Sequence, residues 1–129
     1  MARKRIPKKA RQTVYAKYNG HCAYCGCKLG YKDMQVDHID AVYRAEYEGR
    51  EVDESLDNYM PACRMCNFYK STSTIEEFRK KVSTLHDRLE KQFIYRLAKS
   101  YGMVIENEMP NFYFEKYEMN QRMVSTRDI

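Results

Sequence analysis

Long apolar runs are missing from this sequence. Nothing in it approaches membrane-spanning length, which excludes a spanning helix, and no apolar region follows the basic start, which argues against a secretory leader. Tryptophan is absent too, while tyrosine occurs 12 times in 129 residues. Tyrosines pack their rings while leaving the hydroxyl in water or on a phosphate, so they suit a thin, wet core. The apolar fraction is 43% and the mean hydropathy is -0.80, so stability must come from more than apolar burial. There is room for one modest core and an appendage, not for a second catalytic domain. Acidic residues are absent between Arg3 and Arg11, where Arg3, Lys4, Arg5, Lys8, Lys9 and Arg11 are all basic. Such an arm favours phosphate contact. The opposite balance holds from Asp40 to Asp57, where Asp40, Glu46, Glu48, Glu51, Asp53, Glu54 and Asp57 face only Arg44 and Arg50.

What is present is cysteine, in an odd count of five. A cytoplasmic location is expected, and thiols there stay reduced, so the cysteines point to metal rather than disulfides. Cys22, Cys25, Cys63 and Cys66 form two C-x2-C pairs, a spacing suited to a tetrahedral Zn2+ held by four thiolates, with Cys27 left over. A closed four-sulfur site is structural and supplies no chemistry. His21 and His86 complete no metal set.

Along the chain, Pro7 opens a helix expected over Lys8–Tyr18, which Gly20 ends. Lys28 to Asp40 reads as a hairpin whose second strand carries the alternating run Met34, Val36, His38. Adjacent strand residues point to opposite faces, so Asp37 and His38 could serve one centre only where the strand ends or bulges. Ala41 to Leu56 reads as a long polar loop with a helical turn, and the second knuckle launches a short helix through Lys70. The stripe Ile75, Phe78, Val82, Leu85, Leu89, Phe93, Leu97 and Tyr101 predicts one helix of about seven turns, ended by Gly102. In the tail after Met103, the cluster Phe112-Tyr113-Phe114 is expected to cover that helix or to form a small strand. The domain reading is a core over 1–72 and, over 73–129, a long helix and tail that pack on the core or make a dimer.

Any chemistry must come from the oxygen and nitrogen groups between the knuckles: Asp37, His38, Asn58 and Asn67. Phosphodiester hydrolysis needs a base for the attacking water, which a neutral imidazole can be, and positive charge on the phosphate. A hard divalent cation on a carboxylate and an amide oxygen would supply that charge. On the dipeptide alone, Asp37 as a simple orienting partner of His38 is the favoured reading.

The segments CAYCGC, VDHID and DNYMPACRMCN, with the trailing FYK, resemble the HNH endonucleases from Cys22 through Lys70. The resemblance implies an α+β fold, a ββα-metal core with structural zinc, here flanked by an N-terminal helix and a long C-terminal one. It implies His38 as general base, Asp37 and Asn67 as ligands of a catalytic Mg2+ or Mn2+, and Asn58 as the residue that fastens the loop and orients the base. The last position is Asn rather than His, an H-N-N variant. Arg64 and Lys70 are candidates for contact with the scissile phosphate. The activity so implied is metal-dependent endonuclease cleavage of DNA, expected to be double-stranded. One site nicks; cutting both strands needs two subunits, for which the 74–101 stripe is the candidate homodimer surface. The acidic 40–57 loop suits a protein partner. The competing reading is an inactive zinc-stabilised nucleic-acid-binding or adaptor module. A bacteriophage or mobile-element setting, in a bacterial or phage-infected cell, is what the resemblance suggests.

Overall fold

The structure, a computed structural model, describes residues 5–106 and 111–127. Arg3 and Lys4 of the basic arm lie outside the described residues. No helix among the described residues is long and apolar enough to cross a membrane. The chain is organised as two compact units, one of residues 1–74 with 111–129 and one of Ile75–Pro110.

The first unit opens with α1 (Lys8–Ala16). Its buried Val14 faces the core, and Gly20 turns the chain with φ +76°. Two cations that look free in the sequence hold this element in place. Arg11 donates to the carbonyls of Tyr31 at 3.0 Å and Met34 at 2.5 Å, and Lys17 donates to those of Leu56 and Tyr59. Partial burial lowers the Lys17 pKa from its ordinary value. The first knuckle closes through the Cys22 amide on the Cys27 carbonyl at 2.8 Å and the Gly26 amide on the Cys22 carbonyl at 3.0 Å. Gly26 has φ +82°, and a Cβ there would come within 2.8 Å of the Tyr113 ring, so only glycine fits.

Strand β1 (Gln35–His38) pairs antiparallel with β2 (Tyr59–Ala62), in the register Gln35↔Ala62, Val36↔Pro61, Asp37↔Met60 and His38↔Tyr59. The expected hairpin within Lys28–Asp40 is thus corrected. Lys28 makes only an isolated bridge to His21, and the strand's true partner lies beyond the acidic loop, because local alternation fixes a strand's faces but not its neighbour. That loop carries α2 (Val42–Tyr47), whose Val42 and Ala45 are buried. After β2, the Cys63 sulfur accepts from the Cys66 amide and starts α3 (Arg64–Lys70). The resulting order, β1, β2, α3, is the α+β, ββα arrangement expected of the core.

Residues 75–106 depart from expectation. The single long helix is replaced by α4 (Ile75–Ser83), α5 (Leu85–Glu90) and α6 (Phe93–Ser100). Ser83 and Thr84 turn their hydroxyls back onto the Lys80 and Lys81 carbonyls, both at 2.7 Å, a local competition that weakens helix continuation. Gln92 is fully extended at ψ 129°, and α6 folds back on α5. There Tyr95 Oη lies 3.1 Å from His86 Nε2 and Lys99 donates to Glu90. Apolar periodicity survives such a reversal, so the stripe alone cannot reveal it. Phe93, Ile94, Leu97 and Tyr101 are exposed.

Among its described residues the tail is helical and forms no strand. Its α7 (Tyr113–Arg127) belongs to the first unit, where the amides of Tyr113 and Phe114 donate to the Tyr24 and Ala23 carbonyls. Phe112 and Phe114 pack edge-on against Tyr24, and Tyr113 stacks on His21. These bonds satisfy knuckle carbonyls that are buried with the aromatic cluster, where a carbonyl without a donor would be costly.

Candidate active site

The first unit holds the cysteine cluster and, on the two faces of β1, the groups around Asp37 and His38. The sulfur atoms of Cys22, Cys25, Cys63 and Cys66 all lie within 4.8 Å of one another, with Cys25 Sγ 3.9 Å from Cys63 Sγ. Tetrahedral zinc at about 2.3 Å from each sulfur demands a sulfur separation of about 3.8 Å, so the cluster fits a zinc ion. Amides of Tyr24 and Cys66 point at the sulfurs of Cys22 and Cys63, at 3.4 and 3.3 Å, as thiolates require. The hydrogen bond from Cys66 draws the Cys22 thiol down to about 4, and the same bond pushes Cys66 up. A bound divalent cation would displace the protons of these thiols. Cys27 is exposed and stands outside the cluster.

The inward face of β1 carries Asp37. Its carboxylate is only 4% exposed, accepts from Tyr24 Oη at 2.5 Å and pairs with Lys70 Nζ at 3.1 Å. Burial raises the Asp37 pKa, opposed by the Lys70 ammonium and the Tyr24 hydroxyl. Lys70 is wholly buried at 0% exposure and also donates to the His38 carbonyl at 3.3 Å. A buried lysine of this kind needs a partner carboxylate. The expected phosphate contact by Lys70 is therefore corrected, since the ammonium is an interior counter-ion with no access to a phosphate. Arg64, on α3, is exposed.

The outward end of β1 carries His38. Its side chain is 12% exposed, with Nε2 3.3 Å from Glu54 Oε2. The ring meets that of its cross-strand neighbour Tyr59 edge-on at 5.0 Å, and the Tyr59 hydroxyl donates to the same Glu54 oxygen. Asn58 is buried and works entirely on backbone. Its Oδ1 accepts from the Asp40 amide at 2.7 Å, while Nδ2 donates to the Asp53 carbonyl at 2.9 Å and the Asp40 carbonyl at 3.2 Å. Both ends of the acidic loop are clasped by one amide. Asn67 Nδ2 donates to Gln35 Oε1 at 2.6 Å.

His38 and Asn58 are thus brought to one edge of the sheet, while Asp37 is turned to the other side with Tyr24 and Lys70. As arranged, the carboxylate expected to hold Mg2+ or Mn2+ has its oxygens taken by an ammonium and a phenol. The donor set does not fit an open site for a hydrated divalent ion, which wants several unencumbered oxygens. Sequence reasoning missed Glu54, Tyr24 and Gln35. Glu54 was one acid among seven in its loop, and nothing in its spacing singled it out.

The HNH endonuclease family model matches residues 22–73. The match runs from the first zinc cysteine to just past α3, and the resemblance carried by CAYCGC, VDHID and DNYMPACRMCN holds over that span. Comparison with curated proteins finds no match.

Proposed function

We propose that the chain is an endonuclease that hydrolyses DNA phosphodiester bonds, with His38 as general base. The observation that carries this reading is the His38 imidazole, 12% exposed at the end of β1 and fixed by neighbours, inside the segment that matches the HNH family. A water oxygen attacks phosphorus, its proton passes to the imidazole, and the opposite P–O bond breaks. Asn58 supports the base by clasping the loop beside it. The exposed Arg5, Lys8 and Lys9 of the arm, together with Arg64, supply a basic surface for the backbone. Double-strand cleavage would need a second copy, for which the exposed Phe93, Ile94 and Leu97 of α6 offer an apolar surface. Asp37 and Asn67 could serve Mg2+ or Mn2+ only after Asp37 gives up Lys70, so cation dependence is an outcome to measure and not a premise.

Purified full-length protein is incubated with supercoiled plasmid and Mg2+, Mn2+ or EDTA, beside the His38→Ala variant. Nicking by the wild type that His38→Ala abolishes is expected. No nicking under any cation, or equal nicking by the variant, overturns the proposal. The Asp37–Lys70 pair favours a second reading, an inactive zinc-stabilised module that binds nucleic acid or a protein. In its nucleic-acid-binding form, that reading requires DNA retention in a mobility-shift assay without cleavage.

A further inference from the structure

Within the nuclease reading, on which this inference rests, we propose that Glu54 is the positioning residue of the His38 base and selects the ring nitrogen that does the work. A carboxylate only accepts hydrogen bonds, so the imidazole nitrogen facing it must carry the proton. Glu54 Oε2 faces Nε2 at 3.3 Å, which leaves the lone pair on Nδ1, the nitrogen that would take a proton from water. The same logic holds wherever a carboxylate orients an imidazole: it fixes tautomer and ring angle and favours the charged ring once the proton has arrived.

The arrangement is held from several sides. The Tyr59 hydroxyl donates to the Glu54 oxygen that faces His38, and the Tyr59 ring restrains the imidazole edge-on. The main chain beside Glu54 is fixed in turn, because Asn58 Nδ2 donates to the Asp53 carbonyl at 2.9 Å and the Ser55 amide donates to Asp53 Oδ1 at 2.9 Å. A chain of contacts thus runs from the buried Asn58 amide through the Asp53 peptide to Glu54 and on to His38. It gives the acidic loop a specific task that its net charge does not reveal. Two of its other carboxylates are occupied elsewhere, Asp40 and Glu48 both pairing with Arg50, at 2.8 and 2.7 Å.

The test compares wild type, Glu54→Ala, Glu54→Asp and Glu48→Ala in single-turnover plasmid nicking. Imidazole 15N shifts of His38 are recorded for each at a pH where the ring is neutral. Glu54→Ala is expected to lower the nicking rate constant about 10- to 100-fold with little change in the DNA concentration needed for half-maximal rate. Glu54→Asp should recover part of the loss, and Glu48→Ala should match wild type. The shifts should report protonated Nε2 and unprotonated Nδ1 in wild type and move toward an average of the two tautomers in Glu54→Ala. Unchanged nicking and unchanged shifts in Glu54→Ala would overturn the proposal, and so would faster nicking, which would make Glu54 a plug on the base. If no variant nicks but the shifts still respond to Glu54→Ala, the positioning stands and the nuclease reading falls. If His38→Ala abolishes nicking while Glu54→Ala has no effect, the nuclease reading stands and this inference falls.

Discussion

The two faces of β1 make a sharp contrast. On one, Asp37 is 4% exposed and Lys70 0%, with every polar atom engaged. On the other, one residue along, His38 lies beside a Glu54 whose side chain is 48% exposed. Buried charges are retained only with partners, so the inner face is a lock that ties the first knuckle, the strand and α3 through Tyr24, Asp37 and Lys70. The outer face is the more open of the two, with His38 12% and Glu54 48% exposed. Alternation along a strand lets one four-residue element serve both purposes, with neighbouring side chains assigned to stability and to chemistry.

The most severe way to erase the contrast is to remove the ion that the four cysteines can hold. Structural zinc contributes on the order of 10–16 kcal/mol to small domains at neutral pH, and the first unit has few large apolar side chains fully buried. Chelation, or Cys22→Ser, is expected to abolish folding of the first unit and both faces together, seen as lost near-ultraviolet circular dichroism. Cys27→Ser should leave metal content by mass spectrometry at one zinc per chain, because Cys27 is outside the cluster. Loss of zinc from that variant would show the ligand set to be wrong.

His38→Ala probes the outer face alone. Nicking should fall about 10²–10⁴-fold, the usual contribution of a general base, while the melting midpoint moves little compared with inner-face variants. A variant that unfolds instead would mean that His38 is a packing residue and that the two faces do not divide as drawn.

Lys70→Met tests the inner face, where removing one partner leaves the Asp37 carboxylate buried and unpaired. Breaking such a pair costs about 3–5 kcal/mol, readable in urea denaturation. The double variant Asp37→Asn with Lys70→Met should recover a large part of that loss, since it is the unpaired charge and not the missing bond that destabilises. Equal loss in single and double variants would deny that the two residues act as a pair.

Much of this division was legible in the sequence, and the part that was not has identifiable causes. The four clustered cysteines are fixed by spacing, the helices after Pro7 and Cys63 by local starting signals, and the likeness to the HNH family by three short segments. Alternation also said correctly that Asp37 and His38 point apart. The partner of β1 was misjudged because pairing across the loop is non-local, so residues near Lys28 looked equally suitable. Lys70 looked available to a phosphate because its buried partner is 33 residues away. The break at Gln92 was hidden because the apolar spacing continues through the turn. Glu54 escaped notice because composition records a loop's charge without saying which carboxylate meets the imidazole.

The smallest expected effect lies at the rim of the outer face. A hydrogen bond from Arg50 holds the Asp40 carboxyl below the ordinary carboxylate range, and the pair is partly exposed to water. A depressed folded pKa contributes stability that is present above the unfolded value, about 3.9, and is lost as pH falls through the folded one. Melting curves of wild type and Asp40→Asn should therefore differ slightly at neutral pH and converge on the acid side of pH 4, and added salt should shrink the difference by screening. The Asp40 backbone, clasped by Asn58 on both its amide and its carbonyl, is untouched by this substitution, so the loop stays in register and Glu54 stays on His38. A drop in stability at neutral pH as large as that of Lys70→Met would show that the rim bears load like the interior and would collapse the distinction between the two faces.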